Sequence, residues 1–358
     1  MKKFVVILLC FFSANCLVLG ASTVLSSQPN IVFIFSDDHA TQALSAYGHE
    51  ISKIAQTPHI DKVAESGIRF DRCLVGNSIC GPSRATILTG TYSHINKFYS
   101  NERTAFDGSQ PTFPKILQAN NYQTALIGKW HLASEPTGFD HWEILPGQGS
   151  YYNPDFITPN GKHRETGYVS ELVTKKALYW LQNQRAENQP FLLMVQHKAP
   201  HRDWSPAPKY LDLYDDVTFP EPDTLFDDYK GRGAAARDQD MTIDNSMFLG
   251  SDLKVDAFFT NRYERMNPEQ INIFKEAYKK ENEYLINNQL SGKELVRWKY
   301  QRYLKDYLSC VKSVDDCVGE LWTWLEENNM LENTIFVYSS DQGFYLGEHG
   351  WFDKRFMY

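Results

Sequence analysis

The sequence predicts an α/β fold, with a largely parallel central sheet that is covered by helices on both faces. Continuous apolar runs of strand length, such as Asn30–Ser36 and Phe191–His197, are typical of strands that are buried on both faces. A segment with helical apolar spacing, Tyr303–Leu325, follows such runs in the alternating order that an α/β fold requires. The chain of 358 residues, 42% of them hydrophobic, is long enough to bury a large core.

The other elements are predicted from residues that are typical of helix ends and from the spacing of apolar residues. The segment Thr57–Ser66 predicts a helix, because Thr57 suits the N-cap, Pro58 the first helical position and Gly67 the position after the end. Further helices are predicted at Pro82–Thr89, Phe113–Asn120 and Glu171–Arg185. Further strands are predicted at Thr124–Ile127 and Thr334–Ser339, with a short one at Ile68–Phe70. Residues 203–291 are rich in Pro, Asp, Asn and Tyr and show weak periodicity, which predicts a surface lobe or insertion.

The N-terminus has the pattern of a secretory signal peptide, which we predict to span residues 1–21. Lys2 and Lys3 precede a short apolar run, Phe4–Leu19, and small residues follow it. The pattern predicts export to the periplasm or the exterior, without stable membrane insertion because the run is short and interrupted. A lipoprotein anchor through Cys16 is the less favoured alternative.

Net charge and cysteine count exclude some functions. The formal charge of −8, without a basic tract, argues against a nucleic-acid partner, so any anion must be bound in a local basic pocket. Four cysteines lie outside the signal, too few for a disulfide scaffold. Cys310 and Cys317 are seven residues apart on a predicted helix, about 10 Å of axial rise, so we expect them to be free and buried.

Polar groups follow four of the predicted strands. They are Asp37 and Asp38, then Gly128–His131, then Lys198 and His201, and finally Asp341–Gly343. Because ligands bind beyond the carboxyl ends of parallel strands, we expect these groups to form one site.

The groups divide by chemistry into a cation site and an oxyanion site. Asp37, Asp38, Asp341 and Gln342 offer oxygen ligands, the set that Ca²⁺ or Mg²⁺ prefers. Lys129, His131, His201 and Lys354 supply the opposite charge, which suits an oxyanion.

Cys80 opens the helix that begins at Pro82. A helix N-terminus binds anions and lowers the pKa of a thiol, which favours a reactive thiolate here. The alternative is a buried cysteine that precedes a proline-started helix.

The segment Cys80–Ala85, with Leu88–Gly90 downstream, resembles the signature of the type I, formylglycine-dependent sulfatases. The resemblance covers residues 28–358, because further segments follow the family's order: Pro29–Val32 through Asp38, Gly128–His131, Ala199–His201 and Ser340–Gly343. It implies an alkaline-phosphatase-like fold and one catalytic domain. It also implies that a formylglycine-generating enzyme or an anaerobic sulfatase-maturating enzyme converts Cys80 to formylglycine, whose hydrate attacks sulfur.

The resemblance also assigns roles to the site residues. The implied calcium ligands are Asp37, Asp38, the converted Cys80, Asp341 and Gln342. Arg84 would steady the hydrate, Lys129 and Lys354 would neutralise sulfate oxygens, His201 would act as general acid and His131 as general base. Gln342 stands where many members carry Asn, and its amide oxygen can still bind a metal. The family usually continues beyond the position of Tyr358 through more sheet and a smaller C-terminal domain, so the sequence predicts an incomplete catalytic domain.

The segments His197–Trp204 and Gly147–Tyr152 resemble exported bacterial sulfatases of the N-acetylglucosamine-6-sulfatase type. The expected substrate is therefore a sulfated carbohydrate, and Asp203 and Trp204 are candidates to orient its sugar. A phosphate-monoester or phosphonate hydrolase of the same superfamily is one alternative, and an inactive glycan-binding homologue is another.

Overall fold

A seven-stranded sheet organises the molecule. The structure, a computed structural model, describes residues 28–102, 104–256 and 262–356, so the predicted signal peptide and Cys16 lie outside the described residues. The strands are β1 (Asn30–Ser36), β2 (Gln123–Lys129), β3 (His141–Leu145), β4 (Asp155–Thr158), β5 (Gly161–Arg164), β6 (Phe191–Gln196) and β7 (Thr334–Ser340), in the order β5-β4-β3-β2-β6-β1-β7. The neighbouring strands β3, β2, β6, β1 and β7 pair in parallel. Strands β4 and β5 extend the sheet beyond β3 with antiparallel pairs.

Helices cover both faces of this sheet, as predicted. They are α1 (Glu50–Ile54), α2 (Pro58–Glu65), α3 (Cys80–Thr89), α4 (Ser93–Asn96), α5 (Phe113–Ala119), α6 (Val169–Asn183), α7 (Ala234–Asp238), α8 (Pro268–Asn288) and α9 (Gly292–Glu327). Two strands of two residues each, β8 (Tyr345–Leu346) and β9 (Phe352–Asp353), pair antiparallel after the last strand of the sheet. No helix within the described ranges is both long and apolar enough to cross a membrane.

The side chains of the central strands point alternately to the two faces of the sheet and so contribute to two hydrophobic cores. In β6, Leu193 and Val195 join the core that contains α6 and α9, whereas Leu192 and Met194 join the core that contains α3. Successive side chains of a strand point to opposite faces, so an uninterrupted apolar run fills both cores at once.

The predicted strands β1, β2, β6 and β7 are confirmed, and so are the helices α2, α3, α5, α6 and α9. Cys310 and Cys317 are free and buried in α9, as expected. The short strand predicted at Ile68–Phe70 is wrong, since this segment is irregular and Ile68 is 79% exposed.

Residues 203–291 contribute more to the core than their composition indicates. Phe219, Ile243, Leu253 and Phe274 are fully buried or nearly so, and all join the core that contains α9. The 21-residue helix α8 lies in this segment, with a capping box formed by Asn267 and Gln270. The separate lobe stays a prediction.

Gly128 provides a test of strand packing. It pairs with Gln196 across β2 and β6, has a φ of +111°, and a Cβ added to it would lie 1.9 Å from the Gln196 carbonyl oxygen. We expect Gly128→Ala to lower the free energy of unfolding by about 4 kcal/mol or more, because a strained backbone is combined with a backbone clash. Urea denaturation measures this loss.

The matched control is Gly161→Ala. Gly161 has a similar φ of +119°, but a Cβ there meets nothing within 4 Å. It should therefore cost only the backbone strain, about 1–3 kcal/mol. Equal losses in the two variants would contradict the packing argument.

Candidate active site

The polar groups that follow the strands meet at one edge of the sheet, as predicted. β1 lies between β6 and β7, and β2 lies beside β6, so their carboxyl ends are neighbours. The backbone joins the loops that follow. Asp37 N–H donates to the Ala199 carbonyl at 3.3 Å, and Asp341 N–H donates to the Ser36 carbonyl at 3.1 Å.

The predicted site residues are almost all buried. Asp37, Asp38, Cys80, Arg84, Lys129, Asp341, Gln342 and Lys354 are each at most 4% exposed, and His131 and His201 are partly exposed. So many buried charges require compensation inside the protein.

Arg84 connects α3 to three strands. Its Nε and Nη2 donate to Asp341 Oδ2 at 3.2 and 3.0 Å, and its Nη1 donates to the Lys129 carbonyl and to Gln196 Oε1, both at 2.7 Å. A guanidinium can do this because it carries five donors in a fixed plane. Gln196, the last residue of β6, is thus a supporting residue that sequence reasoning missed.

Two lysines compensate the other carboxylates. Lys354 Nζ lies 2.6 Å from both oxygens of Asp38, and Lys129 Nζ contacts Asp37 Oδ2 and Gln148 Oε1. Burial raises the pKa of Asp38 to about 6, and Lys354 opposes this shift. Gln148 is a second residue whose place in the site was not predicted.

The oxygen ligands fit a hard divalent cation. Ligand atoms of Asp37, Asp38, Cys80 and His201 lie within 4.8 Å of one another. Asp37 Oδ1 and Gln342 Oε1 are buried acceptors without a hydrogen-bond partner, a costly state that a cation would relieve.

Asp341 is placed differently from this group. Its Oδ1 accepts hydrogen bonds from the backbone of Asp38 at 3.0 Å and of Gln342 at 3.1 Å, and its Oδ2 faces Arg84. The structure therefore shows Asp341 as the residue that joins the ends of β1 and β7, and its role as a ligand stays a prediction.

Cys80 lies at the first position of α3, where it is 1% exposed. Burial raises the pKa of its thiol to about 12, with Lys354 opposing. The expectation of a reactive thiolate is therefore wrong, because loss of hydration outweighs the helix N-terminus. Gly81 N–H donates to Asn101 Oδ1 at 2.9 Å, which identifies Asn101 as a third residue that the sequence did not reveal.

The two histidines are neutral by environment. Burial lowers the pKa of His131 to about 3, and its buried Nδ1 has no partner. Burial also lowers the pKa of His201, and Lys354 reinforces the shift. His201 Nδ1 contacts the Arg202 carbonyl, which can only accept, so the Nδ1 carries the proton and Nε2 lies 3.8 Å from Asp38 Oδ2.

Trp204 does not reach the site. It is fully buried among the rings of Tyr303, Phe344 and Phe352, so the suggestion that it orients a sugar is wrong. The sequence pattern of a polar loop after a strand did not distinguish a core residue from a ligand contact.

Known proteins resemble the chain over most of its length. It is 51% identical over 349 residues to an N-acetylglucosamine-6-O-sulfatase of Bacteroides thetaiotaomicron, covering 93% of this chain and 61% of that protein. It is 26% identical to the human N-acetylglucosamine-6-sulfatase, covering 92% of this chain and 54% of the human protein. The chain thus spans less than two thirds of the length of these relatives.

Solved structures confirm the alkaline-phosphatase-like fold. A structure described as a complex with its substrate, D-glucosamine-2-N,6-O-disulfate, superposes with a TM-score of 0.89 at 50% identity, covering 93% of this chain and 69% of the other. A family model described as sulfatase matches residues 29–355, which include every predicted site residue. The chain belongs to the sulfatase family.

Proposed function

We propose that this chain hydrolyses sulfate esters of a glycan, with a 6-O-sulfated glucosamine residue as the substrate. The observation that carries the proposal is the buried Cys80 at the start of α3, with the charges of Arg84 and Lys354 acting on its thiol and Lys129 beside Asp37 in the same site. The relative that is 51% identical is named for this activity, which supports the choice of sugar. Cationic groups of this density in a buried pocket suit the tetrahedral, anionic sulfate group of an ester.

The environment of Cys80 argues that the thiol itself is not the nucleophile. Since its pKa is raised to about 12, almost no thiolate exists at neutral pH. Conversion to formylglycine, as in the family, would supply a hydrated aldehyde with one hydroxyl to attack sulfur and a second to release the sulfate. Arg84 is fixed by four hydrogen bonds beside position 80 and would hold that hydrate in place.

Asp37, Asp38 and Gln342 would hold a calcium ion, with Asp341 at their side. The ion would add positive charge where the sulfate oxygens lie. Lys129 and Lys354, which are paired with Asp37 and Asp38, would bind sulfate oxygens from the same side. These residues lower the barrier by stabilising charge that develops in the transition state.

His201 and His131 would move the protons. His201 Nδ1 is held by the Arg202 carbonyl, so its Nε2 is the nitrogen that is free to serve the leaving sugar oxygen. A general acid at Nε2 requires a second proton on the ring, and the negative charge of a bound sulfate ester would favour that proton. His131 has an unpaired Nδ1 that can accept a proton, and the negative charge of a bound sulfate would raise its lowered pKa toward the range that a general base needs.

The proposal includes export and maturation. The predicted signal peptide would deliver the chain to the periplasm or the exterior, where sulfated glycans occur. A formylglycine-generating enzyme or an anaerobic sulfatase-maturating enzyme would have to act on Cys80 before α3 is buried, because the folded chain leaves this residue 1% exposed.

Mass spectrometry across Cys80 tests the nucleophile. After co-expression with a maturation enzyme, the peptide should be about 18 Da lighter than the cysteine form, and it should react with an aldehyde-trapping reagent. Release of sulfate from N-acetylglucosamine 6-sulfate should be lost in Cys80→Ala. The control is Cys73→Ala, which removes an exposed cysteine seven residues away and should retain full activity. Persistent activity of Cys80→Ala would contradict the proposal.

Removal of calcium tests the metal site. Calcium at 100 times its Kd should stabilise the folded chain by about 2.7 kcal/mol, because only the folded state collects the buried ligands. The melting temperature should be higher in calcium than in a chelator, and this difference should be largely lost in Asp37→Asn.

The control for the calcium experiment is Asp238→Asn, since Asp238 is exposed and, within the part of the chain that the structure describes, pairs only with Arg237. This variant should show the wild-type shift. If Asp37→Asn keeps the full calcium shift, Asp37 is not a ligand.

A further inference from the structure

One cation in the candidate site, Lys198, has no carboxylate oxygen within 4.0 Å among the described residues, although the charges of Asp203 and Asp38 act on it at longer range. Arg84, Lys129 and Lys354 each pair with a carboxylate within 4.0 Å. Lys198, two residues beyond the end of β6, is 4% exposed, and its ammonium makes no hydrogen bond or ion pair with any described residue. Its closest described partner is the ring of Tyr151, with Nζ 4.7 Å from the centroid.

Other buried lysines of the protein show what a structural role requires. Lys254 donates to the carbonyls of Asp203, Trp204 and Asp252 at 2.7–2.9 Å and pairs with Asp306. Lys299 donates to the carbonyls of Ile243 and Asp244 at 3.1 and 2.7 Å. Both ammonium groups are satisfied within the protein, whereas that of Lys198 is largely removed from water without gaining acceptors from the described residues, which is unfavourable unless a ligand supplies them.

Lys198 lies on the loop that carries His201 and borders the candidate site. His201 N–H donates to the Lys198 carbonyl at 3.0 Å, and Tyr151 Oη donates to the His201 carbonyl at 2.6 Å. The charge of Lys198 also lowers the pKa of both Lys129 and His201, although burial is the larger cause for each. The ammonium therefore shares one pocket with the groups that surround Cys80.

We propose that Lys198 is a further sulfate-binding residue, whose ammonium contacts an oxygen of the sulfate that is transferred to position 80. The inference rests on the proposed function and adds a residue to its site. A cation held ready in a buried pocket stabilises the incoming anionic sulfate group without further reorganisation. The cation–π contact with Tyr151 keeps the ammonium in place while no anion is bound.

Binding of inorganic sulfate tests this role without turnover. Calcium-saturated protein is titrated with sodium sulfate by calorimetry, and melting temperatures are measured with and without sulfate. Lys198→Met should weaken sulfate binding by about tenfold or more, the loss of one desolvated ionic contact. Its melting temperature without sulfate should not fall, because an unpaired buried charge is removed. Lys198→Arg should recover part of the affinity.

The matched control is Lys299→Met, which removes a lysine that is 6% exposed but has carbonyl partners. It should lower the melting temperature and leave the sulfate affinity unchanged. Wild-type sulfate affinity in Lys198→Met, or a loss of stability like that of Lys299→Met, would overturn the inference. A wild-type chain that binds no sulfate would overturn it as well.

The two proposals fail separately. If Lys198→Met loses sulfate binding but the matured wild-type chain releases no sulfate from sugars, the proposed function is wrong and the sulfate site stands. If the matured chain is active and Lys198→Met binds sulfate normally, only the role of Lys198 is wrong.

Discussion

Compensation of buried charge at the carboxyl edge of the sheet is the constraint on which the rest of the structure depends. Asp37, Asp38 and Asp341 are at most 1% exposed, and each faces one of three buried cations. Each pair joins different elements: Arg84 ties α3 to the end of β7, Lys129 ties the end of β2 to the end of β1, and Lys354 ties the residues after β9 to the end of β1. A charge left without its partner here would cost several kcal/mol, so the loops can adopt only arrangements that keep the pairs together.

The sheet was predictable because its central strands are apolar on both faces. The runs in β1 and β6 match the observed strands to within one residue, since apolar runs of about seven residues have the length of strands that are buried on both faces. Strands β3, β4 and β5 were not predicted: β5, at one edge of the sheet, is exposed along its whole length and carries no apolar signal. Ile68 and Phe70 alternate like a strand, but the described sheets provide no partner strand for them. Helix α8 has buried residues at Phe274, Tyr278 and Leu285, a helical spacing that its many polar residues obscure.

The members of the site were predictable, but their electrostatics were not. The rule that ligands bind beyond parallel strands brought together Asp37, Lys129, His201 and Asp341 from segments that are far apart in sequence. The state of Cys80 depends on burial, which no local motif encodes, and burial reversed the expected pKa shift. Supporting residues such as Asn101 and Gln196 are identified only by three-dimensional contacts, because a single amide side chain has no sequence signature.

Several of the site residues are held in left-handed backbone. Asp38 has a φ of 64°, His131 of 55°, and Asp353, next to Lys354, of 92°. Each such residue costs about 1–3 kcal/mol and persists only where the surroundings fix it. Hydrogen bonds fix the backbone at two of these places. The Asp38 backbone N–H donates to Asp341 Oδ1, and the Lys354 backbone N–H donates to Asp353 Oδ1 at 2.6 Å. Asp38 and His131 each lie two residues beyond the end of a strand, so the left-handed backbone occurs where the chain leaves the sheet and enters the site. The two cores, one on each face of the sheet, provide stability that offsets this cost.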